Sequence, residues 1–230
     1  MNFSGFQKLT LLDYPGHVAC TLFTKGCNFR CPFCHNALLV TEQQEGETYS
    51  DETVLSYLKK RVGILDGVCI TGGEPLLQKE LPDFIRKVKE LGFLVKLDTN
   101  GSFPDRLKAL ACEGLIDYVA MDVKNSMERY GETVDLQNFS TEAVEESIDF
   151  LLEGNVPYEF RTTVVAEFHT PQDIVAIAKR IQGAEKYFLQ NFVDSGCLIG
   201  ENLHSVGENV MKEMQNAALE HLSAVSLRGL

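Results

Sequence analysis

Three cysteines, Cys27, Cys31 and Cys34, lie within eight residues in the stretch CNFRCPFC. In a reducing compartment, cysteines this close together more often bind metal or take part in catalysis than form disulfides. Structural zinc takes four protein ligands, but no second CxxC or HxxxH pair follows, and the neighbouring His35 would point away from Cys34. A 4Fe-4S cluster held by three thiolates leaves one iron open to an external ligand. The spacing therefore favours such a cluster over closed zinc.

Three other motifs with small or polar residues lie at or just after the ends of predicted strands. They are TGGEP at 71–75, DTNG at 98–101, and Asp122 with Lys124. The carboxyl ends of parallel strands meet at one rim of a barrel, where such folds carry chemistry. We therefore expect these motifs and the cysteine loop, residues 25–36, to converge there. The two glycines let backbone approach a ligand closely, and the glutamate after them can accept hydrogen bonds.

Short β-branched or apolar runs alternate with segments of helical period, a pattern that predicts an α/β fold with repeated βα units. Strands are predicted at 17–24, 67–71, 94–98, 118–124, 158–165 and 186–192, and helices at about 51–63, 78–91, 104–113, 140–154, 171–182 and 207–223. The six strands should form a parallel sheet in a barrel or half-barrel. The polar stretches 41–52 and 125–140 are predicted rim loops, and the closing AVSLRGL is predicted to pair with the first strand or the N-terminal segment.

The composition of the chain limits the number of domains and the kinds of partner. A chain of 230 residues with 44% hydrophobic content can bury one core, which predicts a single domain over residues 1–230. The formal net charge of -12 and the absence of a Lys/Arg-rich run argue against nucleic-acid binding. The N-terminus lacks a signal pattern, and no apolar run approaches the roughly 18 residues that span a bilayer. These features predict a cytoplasmic protein without a membrane partner.

The motifs GCNFRCPFCHN (26–36), TGGEP (71–75), DTNG (98–101) and MDVK (121–124) resemble those of radical S-adenosylmethionine enzymes. This resemblance implies a partial (β/α)6 TIM-like barrel with a parallel sheet. Within the superfamily, the chain looks most like a glycyl-radical-enzyme activase. It is most similar to the activating proteins of anaerobic ribonucleoside-triphosphate reductase, which share an opening like GFQKLTLLDYPG. One departure is Ala37, where members commonly have proline.

The resemblance also implies roles for individual residues. Cys27, Cys31 and Cys34 would ligate the cluster, and S-adenosylmethionine would bind the fourth iron. Residues expected to bind S-adenosylmethionine are Phe33, Gly72, Gly73, Glu74, Asp98, Asn100, Lys124 and Arg161, with Gln190 and Asn191 as weaker candidates. Asp98, Thr99 and Asp122 would hold a monovalent cation, which would relieve repulsion between the two carboxylates. Ordinary turn capping by the DTNG run, and salt bridges of Lys124 and Arg161, are the simpler alternatives.

The implied reaction is one-electron reduction of S-adenosylmethionine by the cluster, with flavodoxin or ferredoxin as a donor. The resulting 5′-deoxyadenosyl radical would take a hydrogen from a glycine of anaerobic ribonucleoside-triphosphate reductase. Three alternatives stay open: activation of pyruvate formate-lyase or another glycyl-radical enzyme, a small-molecule radical enzyme such as a deazaguanine-forming synthase, and a non-catalytic metal-binding module. His169, His204 and His221 show no partner pattern and are expected in loops or solvent.

Overall fold

The computed structural model describes residues 1–41 and 46–230. Its strands are β1 Asn2–Phe3, β2 Gly5–Thr10, β3 Ala19–Thr24, β4 Tyr49–Ser50, β5 Gly67–Gly72, β6 Leu94–Thr99, β7 Tyr118–Asp122, β8 Tyr158–Val164, β9 Tyr187–Asn191 and β10 Val225–Arg228. Its α-helices are α1 Ala37–Val40, α2 Asp51–Lys59, α3 Leu81–Glu90, α4 Pro104–Cys112, α5 Tyr130–Thr133, α6 Glu142–Leu152, α7 Pro171–Arg180 and α8 Glu208–Leu219. Single 3-10 turns lie at Pro75–Leu77 and Met127–Arg129.

The main sheet has the order β10-β9-β8-β7-β6-β5-β3-β2. Strands β3 and β5 to β10 of this sheet are parallel to one another, and β2 is antiparallel to β3. Six successive βα units, from β3 to α8, confirm the predicted α/β partial barrel. The sheet is open, because β2 and β10 are its two edges.

Two details of the sheet differ from the sequence predictions. The closing segment forms β10 and pairs with β9, so its predicted pairing with the first strand or the N-terminal segment was wrong and the parallel strands number seven in the described chain. Strand β2 was not predicted, because Gln7, Lys8 and Leu9 are all exposed and give an edge strand no apolar alternation.

Side chains cap the starts of two helices. The Ser50 hydroxyl accepts from the Thr53 backbone N–H at the start of α2. Thr170 and Asp173 form a reciprocal capping box at the start of α7, with Pro171 in the first turn. No helix in the described ranges is long and apolar enough to cross a membrane.

The two predicted rim loops contain short elements. Residues 125–140 include the 3-10 turn Met127–Arg129 and α5, and they pack on the cysteine loop through Phe139, whose ring lies 5.3 Å from that of Phe29. In the stretch 41–52, residues 42–45 lie outside the described chain, while Tyr49–Ser50 pairs with β1 and α2 begins at Asp51. The segment 125–140 therefore packs against the cysteine loop.

Alternation along the strands decides which side chains enter the barrel. Successive strand residues point to opposite faces, so in β6 the buried Val95 and Leu97 face one side while Lys96 and Asp98 share the other. Asp122 on β7 and Arg161 on β8 are paired residues of adjacent strands. Charged side chains from three adjacent strands are thereby brought to the floor of one cavity.

Candidate cofactor site

A cavity of about 230 Å³ lies at the carboxyl ends of the parallel strands. It brings together every site residue predicted from the sequence except Glu74 and Asn191; the predicted residues that line it are Cys27, Cys31, Phe33, Cys34, Gly72, Gly73, Asp98, Thr99, Asn100, Asp122, Lys124, Arg161 and Gln190. The four motifs therefore converge on one rim, as their positions after the strands predicted.

Hydrogen bonds fix the cysteine loop to the TGGEP segment at 71–75, here called the glycine loop. The Gly26 carbonyl accepts from the Glu74 N–H at 2.8 Å, and the Asn36 side-chain amide donates to the Gly72 carbonyl at 2.7 Å. A Cβ on Gly73 would lie 1.9 Å from the Gly26 carbonyl oxygen. The approach requires glycine at 73, so this residue sets the spacing between the two loops.

Burial disfavours the thiolate form of the three cysteines. It raises the pKa of Cys27 to about 11, that of Cys31 to about 12, and also that of Cys34, while the Lys124 ammonium lowers all three. Metal ligation requires thiolates. The Asn100 amide donates towards the Cys27 sulfur at 3.8 Å, so Lys124 and Asn100 both favour the ligating form.

The arrangement of the thiols bears on which metal they could hold. Across residues 1–41 and 46–230, no three His, Cys, Asp or Glu side chains are grouped so that they could hold a single ion. A zinc ion needs its ligands within about 2.0–2.3 Å of one point, whereas a cluster gives each thiolate its own iron. Three cysteines on one wall of a cavity fit a cluster better than a single ion.

Phe33 and His169 form a packed support beneath the cysteine loop. The Phe33 ring lies 5.7 Å from that of Phe168 and 6.3 Å from that of His169. His169 lies in a loop, as predicted, but it is only 3% exposed, and its ring nitrogens contact the backbone of Val165 and Lys124. The Phe33 side chain thus plugs the loop, and its backbone contact with a cofactor stays a prediction.

The Glu74 carboxylate does not point into the cavity. It is 0% exposed and accepts hydrogen bonds from the Leu76 N–H, the Thr99 hydroxyl and the Asn100 N–H, at 3.0, 2.9 and 2.7 Å. Burial raises its pKa to about 7, against the effect of these three donors. In this structure Glu74 joins the glycine loop to the end of β6, and its predicted binding of S-adenosylmethionine stays a prediction.

We expect Glu74→Gln to destabilise the protein by roughly 1–3 kcal/mol, because an amide places a donor against buried N–H groups. Urea unfolding measures this loss. Glu80→Gln is the matched control, since Glu80 is exposed, and it should unfold like the wild type. Equal stability of Glu74→Gln and the wild type contradicts the positioning role.

Five charged side chains form a network on the cavity floor. The Arg161 guanidinium lies between two carboxylates, with Nε 2.8 Å from Asp122 Oδ1 and an Nη 3.2 Å from Asp98 Oδ2. Lys96 contacts Asp98 Oδ1, and Lys124 Nζ lies 2.9 Å from Asp122 Oδ2. The unrelieved repulsion that motivated the predicted cation at Asp98, Thr99 and Asp122 is therefore absent.

This network makes the fold sensitive to acid. Burial raises the pKa of Asp98 and Asp122, but Arg161 and the adjacent lysines lower it by more, so both lie below the ordinary range. Such carboxylates contribute stability above their unfolded pKa of about 3.9 and lose it as the pH falls. We expect the urea midpoint to fall as the pH drops below about 4 and Asp122→Asn to flatten that dependence. An equally steep pH profile for the variant contradicts this assignment.

The structure adds residues that the sequence analysis did not select. Asn36, Thr71 and Thr163 line the cavity; Thr163 could have been found, because it lies two residues after Arg161 on the same strand face. Of the two weaker candidates, Gln190 lines the cavity, whereas the Asn191 side chain turns away to the Val206 backbone.

The segment after β9 lies over the outside of the cysteine loop. The Gly200 N–H donates to the Pro32 carbonyl at 2.8 Å, and the His35 ring stacks on Phe192 at 5.7 Å. Its backbone also meets His35, whose Nε2 lies 2.9 Å from the Val193 carbonyl oxygen. No local pattern indicated this packing, since the partners are more than 150 residues apart in the chain.

Comparison with known proteins decides the family. Residues 21–182 match the sequence profile of the radical SAM superfamily. A protein of Methanocaldococcus jannaschii that carries the name glycyl-radical enzyme activating enzyme is 34% identical over 232 residues, which span 98% of this chain and 95% of that relative. The chain belongs to the glycyl-radical-enzyme activases of the radical SAM superfamily. The resemblance inferred from the motifs is confirmed, and the cofactors of this activase are a 4Fe-4S cluster and S-adenosylmethionine.

Solved structures show the same fold. The crystal structure of a domain of pyruvate-formate lyase-activating enzyme from Bacteroides vulgatus aligns with a TM-score of 0.58 and 18% identity, over 71% of this chain and 99% of that domain. Streptococcus suis SuiB bound to S-adenosylmethionine aligns with a TM-score of 0.69 and 12% identity, over 90% of this chain and 49% of SuiB. Both alignments support the partial barrel, and the activase family makes the protein an enzyme.

Proposed function

We propose that this activase generates the glycyl radical of an anaerobic ribonucleoside-triphosphate reductase. The observation that carries the proposal is the convergence of Cys27, Cys31 and Cys34 with Gly72 and Gly73 on one cavity. Cys27, Cys31 and Cys34 would hold the cluster there, and the reduced cluster would give one electron to S-adenosylmethionine, which would release methionine and a 5′-deoxyadenosyl radical able to take a hydrogen atom from a glycine Cα.

In this proposal the chain's own residues bind and orient the cofactors. The three cysteines hold the cluster as thiolates, and Lys124 favours that form by its charge. The backbones of Gly72 and Gly73 allow a ligand to approach closely. Asn100 contacts the Cys27 sulfur and is held by Glu74, so it links the cluster ligand to the end of β6.

The buried floor of the cavity excludes water from below. Lys96 is 1% exposed and Thr99 4% exposed, and the aromatic plug of Phe33 closes the side beneath the cysteine loop. A dry site protects a reactive radical from side reactions. The buried floor would therefore limit side reactions while the partner's glycine is in the cavity.

The open sheet supports a polypeptide substrate. Strands β2 and β10 are not paired with each other, so the barrel is not closed between its edges. A glycine in another protein's loop needs such lateral access to a buried cavity. The choice of reductase depends on the opening GFQKLTLLDYPG, which forms β2 and the turn after it.

Electron paramagnetic resonance tests the proposed partner. Reduced, reconstituted protein is mixed anaerobically with S-adenosylmethionine and the host's anaerobic ribonucleoside-triphosphate reductase. We expect a glycyl-radical doublet that requires all three components, and a reductase whose radical glycine is replaced by alanine should give none. A doublet with a different glycyl-radical enzyme, and none with the reductase, would reject the proposed partner.

We further propose that residues 1–230 form a single domain that works in the cytoplasm with a low-potential protein donor such as flavodoxin or ferredoxin. All seven cysteines are unpaired, which suits a reducing compartment. Limited proteolysis that released a stable fragment would contradict the single domain.

A further inference from the structure

The charge network on the cavity floor leaves no carboxylate oxygen without a cationic partner. Each oxygen of Asp98 and of Asp122 contacts its own donor atom. The donors belong to Lys96 and Arg161 for Asp98, and to Arg161 and Lys124 for Asp122. Arg161 is the shared member, since it contacts both carboxylates. A bound monovalent cation would have to compete with these cationic groups for the same carboxylate oxygens.

The charges of the network also argue against a bound cation. Three cationic and two anionic side chains make up the network, which leaves one positive charge in excess. The side chains are largely buried, with Lys96 at 2%, Asp98 at 15% and Arg161 at 18% exposed. Charges in such surroundings are screened far less than at the surface. A further cation would add repulsion to a network that has no surplus negative charge.

The position of Arg161 is fixed by the strands and not by a loop. Asp122 and Arg161 are register partners on β7 and β8, and Asp98 lies at the end of the adjacent β6. The planar guanidinium presents several donors in a rigid fork, so one side chain can bridge two carboxylates on neighbouring strands. A lysine at this position would offer a single ammonium.

We propose that Arg161 takes the place of the monovalent cation that the family resemblance predicts at Asp98, Thr99 and Asp122. Arg161 is then a positioning residue: it holds the two carboxylates together and keeps Lys124 at the cavity wall through Asp122. Binding of S-adenosylmethionine to this enzyme consequently needs no inorganic cation. The inference rests on cofactor binding in the proposed function and not on the identity of the partner.

The test measures the affinity of the reconstituted protein for S-adenosylmethionine by anaerobic calorimetry. Buffers of equal ionic strength contain potassium, sodium or tetramethylammonium, the last being too large to enter between the carboxylates. We expect the wild-type affinity to change less than about twofold among them, because Arg161 already supplies the charge. A tenfold or greater gain in potassium or sodium would overturn the proposal.

Two variants separate this role from a purely structural one. Arg161→Ala opens the space between the carboxylates, and we expect at least about tenfold weaker binding in tetramethylammonium, with recovery of several-fold in potassium or sodium. Arg161→Lys should fall between the wild type and the alanine variant. Arg180→Ala is the control, since Arg180 pairs with Glu145 and Asp149 away from the cavity, and it should behave like the wild type in all three buffers.

Loss of affinity in Arg161→Ala that no cation restores, in protein with the wild-type cluster absorbance, also overturns the proposal. Failure of the role assigned to Arg161 can be distinguished from failure of the proposed function. Cation-independent binding without a glycyl-radical doublet rejects the reductase as partner and leaves the role of Arg161 intact. A doublet together with cation-dependent binding supports the reductase as partner and rejects the role of Arg161.

Discussion

Replacing Cys31 by serine should abolish assembly of the 4Fe-4S cluster and cleavage of S-adenosylmethionine. Cys31 is the middle cysteine of the cysteine loop and only 7% exposed, so neither solvent nor another side chain can take its place easily. The effect should exceed the roughly 10–100-fold loss that follows removal of a group supporting a metal ligand. Anaerobic reconstitution, iron analysis and 5′-deoxyadenosine formation measure it.

Cys112→Ser is the matched control for this prediction. Cys112 ends α4 and is exposed, so its loss should leave iron content and 5′-deoxyadenosine formation at wild-type values. A Cys31→Ser protein that retains a full cluster and cleaves S-adenosylmethionine at the wild-type rate would show that the cysteine loop is not the cluster site.

Replacing Gly73 by alanine should have the second largest effect. The added Cβ would lie 1.9 Å from the Gly26 oxygen and 2.6 Å from its carbonyl carbon, both backbone atoms that cannot rotate away. The glycine loop must then move from the cysteine loop, which breaks the Glu74 N–H to Gly26 carbonyl contact. Overpacking of this kind costs roughly 1–3 kcal/mol, and we expect both a lower urea midpoint and severe loss of S-adenosylmethionine binding.

Gly207→Ala tests whether that effect is specific. Gly207 caps α8 with a φ of -66° and has no heavy atom within 4 Å of a built Cβ. Because alanine is a poorer N-cap than glycine, we expect a loss of stability of no more than about 1 kcal/mol, with normal binding of S-adenosylmethionine. Equal behaviour of the two alanine variants would contradict the close approach assigned to Gly73.

The sequence was sufficient to predict the fold and the convergence of the motifs on one cavity, because both depend on local patterns. Buried parallel strands are apolar on both faces, as in β3 and β5, so they stand out as short hydrophobic runs. The motifs follow those strands directly, and a parallel arrangement then places them on one rim. Helix starts were equally readable, as the capping box at Thr170 illustrates.

Contacts between distant segments could not be predicted in the same way. Nothing near Glu74 in the chain indicates that its carboxylate binds Asn100 rather than a ligand. The bridge from Arg161 to Asp98 depends on the register of β6, β7 and β8, which the sequence does not specify to one residue. The same holds for Gly200, which meets Pro32 only after the whole barrel has formed.

The most direct test of the cofactor site is anaerobic electron paramagnetic resonance of the reduced, reconstituted protein with and without S-adenosylmethionine. Three thiolates leave one iron free for an external ligand, so we predict a 4Fe-4S signal whose g-values shift when S-adenosylmethionine is added. A 4Fe-4S signal that S-adenosylmethionine leaves unchanged, or metal analysis that finds zinc in place of iron, would contradict the account.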